Sequence, residues 1–246
     1  VHPLYDDFST PTFDGKHNLI KGGSWISTGN EATLHARYAF RRHFYQHAGF
    51  RYIESDAPLK IEQADYLTEE DVTLSCEQNW GEAPDGQSNF AVTLGRLAAE
   101  LLPDHPDAPI LDLNADTGRL AFELARNFHD VTALDFTARM IRVPIQLQEQ
   151  GYVRYTMKDE GELVFYPDIV LADYGLSETR EHILFMQADA MNLKPIFSGY
   201  NMIIVPNLLE ELGDPLLFLA DIHTRVNENG YLLLASSYEW DRKSVV

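Results

Sequence analysis

Cysteine occurs once among the 246 residues, at Cys76. An intramolecular disulfide and a cysteine-rich zinc site are therefore excluded, and a reducing, cytoplasmic setting fits. Positive charge is scarce as well: 19 Lys and Arg stand against 38 Asp and Glu, a formal net charge of −19. So acidic a chain is repelled by polyanions, which argues against nucleic acid and anionic membranes as partners. No apolar run approaches the roughly 18 residues of a spanning helix, and no basic stretch leads into an apolar one at the start, so neither insertion nor secretion is expected. A first residue of Val rather than Met is what a fragment would show. What is present is ordinary globular material, 45% hydrophobic and 23% charged, enough for one large domain or a medium one plus a fragment.

The charge is unevenly spread. Residues 1–57 carry six basic and six acidic side chains and five of the nine histidines. Residues 58–88 carry one Lys against eight carboxylates with little apolar periodicity, which reads as a solvated acidic linker with room for one short helix. Residues 89–246 carry 12 basic and 24 acidic residues and alternate between strand and helix patterns. Pro109–Leu113, Val131–Asp135, Ile183–Asp189, Met202–Val205 and Tyr231–Ala235 are short apolar strands. Leu120, Leu124 and Phe128 at i, i+4 and i+8 mark one helix, and Pro215 to Val226 another. Continuous apolar strands between helices mean an α/β fold, a doubly wound and mostly parallel sheet covered on both faces.

Ligands of such sheets bind beyond the carboxyl ends of the strands. Asp112, Asp135 and Asp189 stand at three of those ends, and Asp135 follows Gly118 by 17 residues, about the spacing at which a carboxylate meets ribose hydroxyls. The turn between, Asp112-Leu113-Asn114-Ala115-Asp116-Thr117-Gly118, has one glycine where a dinucleotide fingerprint needs three. A pyrophosphate would be repelled by Asp116, which disfavours a nicotinamide-dependent oxidoreductase; a cationic sulfonium would not be.

That turn resembles the first motif of class I S-adenosylmethionine-dependent methyltransferases, Asp-x-Gly-x-Gly-x-Gly, with Asn114 and Asp116 at the first two glycine positions. Asn tolerates positive φ, so Asn114 is a mild exchange; Asp116 is expected to add bulk and charge where the methionine carboxylate would lie. The resemblance extends over about residues 15–55 and 76–240. Lys21-Gly22-Gly23-Ser24-Trp25 through Arg41-Arg42-His43-Phe44-Tyr45 is similar to the end of a formylglycine-generating-enzyme-like sulfoxide synthase module. Gly118-Arg119, Leu134-Asp135-Phe136-Thr137-Ala138-Arg139, Ala188-Asp189-Ala190 and Ser237-Tyr238-Glu239-Trp240 are similar to the methyltransferase that follows it in ovothiol-biosynthesis enzymes. In that family a 5-histidylcysteine sulfoxide synthase is fused to a mercaptohistidine N-methyltransferase.

The resemblance implies methyl transfer from S-adenosylmethionine to an imidazole nitrogen of a histidine-derived thiol. It implies cofactor contacts at Asp112, Asn114, Gly118, Asp135 and Asp189, with Asn207, Tyr238 and Trp240 on the substrate side of the cleft. No general base is named by the sequence. It also implies a sheet two strands short, leaving Tyr231–Ala235 as an uncovered edge open to self-association. Residues 1–57 would be the remnant of the synthase module. Its iron is held further upstream in that family, and although His43 and His47 have helical i, i+4 spacing, no third ligand follows, so no metal site is expected here. Cys76 reads as a plain structural thiol, and Asp159, Glu160 and Glu162 as a solvated loop able to cover the substrate. The alternative to an enzyme is a relative that kept the fold as a binding or scaffolding module after Asn114 and Asp116 replaced glycines.

Overall fold

In the computed structural model the described residues are 18–21, 37–40, 69–81, 88–160 and 163–237. The chain divides into two compact units, 1–68 and 69–246. Of the first, an antiparallel pair is described, β1 (Asn18–Lys21) with β2 (Arg37–Phe40). His43, His47, Glu162, Tyr238 and Trp240 lie outside the described residues.

In the second unit α1 (Glu69–Trp80) and α2 (Phe90–Leu101) precede β3 (Ile110–Leu113). Asn89 starts α2 by accepting from the backbone N–H groups of Ala91 and Val92, donors that a helix start leaves free. Next come α3 (Arg119–Leu124), β4 (Val131–Asp135) and α4 (Ala138–Gln150). Four short strands follow, β5 (Tyr152–Arg154), β6 (Met157–Lys158), β7 (Val164–Phe165) and β8 (Asp168–Val170), paired antiparallel as β5 with β8 and β6 with β7. The remaining long elements are β9 (Ile183–Gln187), β10 (Tyr200–Pro206), α5 (Pro215–Ile222) and β11 (Val226–Ala235).

Five strands form one parallel sheet in the order β11-β10-β3-β4-β9, with Leu111 opposite Ile203 on one side and Thr132 on the other. The chain winds outward in opposite directions from β3, so the switch point of the sheet lies at the carboxyl ends of β3 and β10. Leu111, Leu113, Leu134, Ile203 and Val205 cluster with Phe218 and Ile222 of α5. Period-two alternation turns Ile110 and Asp112 to the opposite face. The inner strands β10, β3 and β4 are buried on both faces, which is why they are largely apolar; each Leu or Ile so buried contributes about 1.5–3 kcal/mol. At one edge, β11 leaves Leu234 46% exposed.

The segment from 58 to 88 is not a linker throughout. Residues 69–80 form α1, which belongs to the second compact unit. Val72, Cys76 and Trp80, at i, i+4 and i+8, are buried along one stripe, while acidic residues occupy its first turn. β10 and β11 are also longer than the apolar runs that predict them, because Tyr200 pairs with Val226 beyond a break in register that passes over residues 227–230.

Candidate functional site

The turn from β3 into α3 follows an alternating backbone path: Asn114, Asp116 and Gly118 all have positive φ, at 86°, 52° and 87°. These are the three glycine positions of the motif that the turn resembles, and at two of them a residue other than glycine holds the left-handed conformation. Asn and Asp are the side chains that best tolerate the left-handed region, and each is tied in place. Asn114 donates its side-chain N–H to the Pro206 carbonyl at 3.0 Å, and the backbone N–H groups of Asn114 and Ala115 both donate to the Leu134 carbonyl at 2.9 Å. The Asp116 carboxylate accepts from the Ser75 hydroxyl and, at 2.9 Å, from Asn79 Nδ2, both on α1. The Asp116 side chain is thus held against α1.

Asp135 is tied to the same turn. Its Oδ2 accepts from the Asp116 N–H at 2.8 Å and its Oδ1 from the Thr137 N–H at 2.7 Å. Even so, burial pushes its pKa up to about 7. Asp112 is wholly buried, and among the described residues neither of its oxygens has a hydrogen-bond partner. Desolvation, then the charges of Asp135 and Asp116, hold it well above the usual carboxylate range. Asp116 is raised by desolvation against the pull of its hydrogen bonds, and Cys76 beside it is pushed up to about 12, an inert thiol.

Raised carboxylate pKa values mean that the folded chain holds protons the unfolded chain has lost. Stability from these groups is complete below the ordinary Asp value and falls as pH rises through the folded values. The melting temperature is therefore expected to be higher near about pH 5.5 than near about pH 8, and Asp112→Asn, isosteric and neutral, to raise it at the upper pH and flatten the profile. Differential scanning calorimetry of both proteins checks this; a parental slope retained by the variant would refute it.

Asp189 is exposed after β9 and caps the turn Ala190–Asn192, accepting from the Met191 N–H at 2.9 Å. Asn207 follows β10 with φ 47°, its N–H donating to the Ala235 carbonyl at 2.8 Å. The structure thus places Asn114 and Gly118 in one turn, with Asp112 on the strand that leads into it, Asp135 bonded to it from the end of β4, and Asp189 and Asn207 at neighbouring strand ends.

Four residues without a role in the sequence reading hold that turn. Ser75 and Asn79 bind Asp116; Trp80 donates Nε1–H to the Thr117 carbonyl at 3.2 Å. Arg119 is buried with its guanidinium 5.0 Å from the Trp80 ring and 4.4 Å from the Tyr174 ring, paired with Glu123 at 3.0 Å. The stripe of Val72, Cys76 and Trp80 is the signal that marks α1 as a packed helix. The small strands also dock on α1: Thr73 donates to the Thr156 carbonyl at 2.7 Å, Tyr155 OH to Glu77, and Lys158 pairs with Glu70. Asp159 and Glu160 form the turn between β6 and β7. Among the described residues no three His, Cys, Asp or Glu side chains are grouped as metal ligands, and no helix is long and apolar enough to cross a membrane.

A five-stranded parallel sheet with a left-handed turn at its switch point, followed one strand later by a buried carboxylate, defines the class of doubly wound α/β folds. Within that class, residues 87–243 match the family described as Methyltransferase domain, and the chain belongs to it. No protein of the curated set matches. Among solved structures, the YcgJ protein from Bacillus subtilis is 15% identical with a TM-score of 0.43, covering 60% of this chain and 50% of that one. The glycopeptide N-methyltransferase MtfA complexed with sinefungin is 16% identical with a TM-score of 0.42, covering 62% and 57%. Coclaurine N-methyltransferase bound to N-methylheliamine and SAH is 16% identical with a TM-score of 0.43, covering 62% and 38%. The chain spans about half the length of these proteins.

Proposed function

We propose that this chain is a cytoplasmic S-adenosylmethionine-dependent N-methyltransferase acting on an imidazole nitrogen of a histidine-derived thiol, as one part of a bifunctional sulfoxide synthase and methyltransferase. The observation that carries the cofactor reading is the left-handed path through Asn114, Asp116 and Gly118 with Asp135 bonded to it. The acceptor rests on the resemblance of residues 21–52 and 118–240 to ovothiol-biosynthesis enzymes. S-adenosylmethionine supplies an activated methyl group on a sulfonium. Asp135 holds ribose hydroxyls, Asp189 the adenosine side, and the acidic turn sits beside the cationic end. By the same resemblance Asn207, Tyr238 and Trp240 are the residues that would serve the substrate side and orient a neutral imidazole nitrogen toward the methyl group; such orientation is worth about 7–11 kcal/mol of the barrier. The imidazole N–H proton is lost to solvent, so no strong base is required of the chain.

The test incubates the chain with S-adenosylmethionine and 5-mercaptohistidine, with histidine as control, and reads products by mass spectrometry. A methylated thiol product is expected from the first alone. Asp135→Ala is expected to weaken S-adenosylhomocysteine binding by about 10–100-fold, the worth of one or two hydrogen bonds to a charged group. No calorimetric binding at millimolar S-adenosylhomocysteine would sink the cofactor reading; binding with no turnover of any acceptor favours the scaffolding alternative.

A further inference from the structure

We propose that Asp116, standing where the motif has glycine, makes this turn selective for a cationic ligand over its neutral counterpart: the ligand-free protein shares a proton among Asp112, Asp116 and Asp135, and entry of a sulfonium releases that proton to solvent. The inference rests on the cofactor reading above and assigns a charge preference to the same site.

The three carboxylates are buried around one turn, but they are not equally provided for. Asp135 has two backbone donors, and Asp116 has Ser75 and Asn79. Asp112 is fully buried, with neither oxygen hydrogen-bonded among the described residues. An ionised carboxylate without donors in a dry site is costly, and the Coulomb neighbours of Asp112, Asp135 and Asp116, are themselves carboxylates. Glu211, beyond β10, adds a further acidic group acting on Asp135. From α1 the facing groups are Asn79, Ser75 and the neutral thiol of Cys76, with Glu77 one residue beyond. The negative charge of the turn thus exceeds what its own donors balance, and the group keeping the proton is a property of the cluster rather than of one side chain.

A ligand bringing a positive charge supplies the missing counter-charge, so the cluster ionises as it binds. One proton leaves for each cation that enters. A thioether brings no such charge, so the proton stays or returns. The same cluster that favours the sulfonium therefore favours departure of the demethylated product. Asp116 sets the size of this preference because it adds a second carboxylate beside Asp112 while its own side chain is held back on α1.

The experiment is isothermal titration of the full chain with S-adenosylmethionine, sinefungin and S-adenosylhomocysteine, from about pH 6 to about pH 8, in phosphate and in Tris to count released protons. The two cations are expected to bind more tightly as pH rises, approaching tenfold per unit, with S-adenosylhomocysteine markedly flatter. In Asp116→Asn the cation-over-neutral preference is expected to fall by about tenfold or more, the effect of one pKa unit of interaction. Asp116→Gly, which the positive φ accommodates, provides the same readout should the Asn variant fail to fold. Equal pH slopes for cations and thioether, or an unchanged preference in both variants, overturns this inference and leaves the cofactor reading intact. Binding of none of the three removes both.

Discussion

Replacing Gly118 by alanine is expected to cost about 2–5 kcal/mol and to abolish ligand binding at the first turn while the sheet survives. Two effects add. The residue has φ 87°, where an L side chain is penalised by about 1–2 kcal/mol. A Cβ there would also lie 2.4 Å from Pro144 Cβ and 3.4 Å from the Phe185 ring. Pro144 is a rigid ring inside α4 and has no rotamer by which to withdraw, so the turn or α4 must move. Either shift carries the Asp116 N–H away from Asp135 and opens the arrangement on which ribose binding depends. Gly151 is the internal control: its φ is 79°, but a Cβ there meets only Arg180 Nη1 at 3.8 Å. Gly151→Ala is therefore expected to show the conformational penalty alone, about 1–2 kcal/mol, with binding unchanged. Urea unfolding and S-adenosylhomocysteine titration of both variants decide it; equal costs, or retained binding in Gly118→Ala, would mean that close packing on Pro144 does not shape the site.

The sheet was legible because its inner strands β10, β3 and β4 are buried on both faces and so appear as apolar runs, two of them marked by a carboxylate near the end. Asp135 was legible for the same reason, since a polar residue closing an apolar strand is conspicuous. The conformation of Asp116 was not. Nothing in the neighbouring sequence says that its side chain is held by Ser75 and Asn79, which precede it by 41 and 37 residues. α1 escaped as a packed helix because its buried stripe contains a Cys and a Ser, and its first turn is so acidic that average composition hides three apolar positions. The small strands at 152–170 had no signal of their own, being two or three residues long and largely exposed. Their order comes from docking on α1 through Thr73, Glu77 and Glu70, which is tertiary information.

α1 is also the element on which the acidic turn depends, and Trp80→Ala is expected to show it with a loss of about 3–5 kcal/mol, the range for deleting a buried aromatic side chain. Trp80 is 2% exposed and meets Phe122 and Tyr174 edge-on, with ring centroids 5.9 and 5.3 Å away. Its indole N–H is spent on Thr117, inside the turn, and its own carbonyl accepts from the Tyr174 hydroxyl. The Arg119 guanidinium stacks on the same ring, so truncation leaves a buried cation facing a cavity, with Glu123 and the Tyr174 ring among its remaining partners. With its C-terminal anchor gone, α1 is expected to loosen from the turn, and Asp116 to lose Ser75 and Asn79 as donors. Hydrogen exchange over residues 69–80 should then speed up more than exchange in β3 or β4, and the melting point should fall by roughly 6–20 °C for a unit of this size. Trp80→Phe keeps the ring contacts and loses only the bond to Thr117, for which about 0.5–1.5 kcal/mol is expected. If Trp80→Ala unfolds everything at once, Ser75→Ala combined with Asn79→Ala tests the coupling without emptying the core: binding should weaken while the melting point changes little. Unaltered binding in that double variant would show that the turn holds its shape without α1.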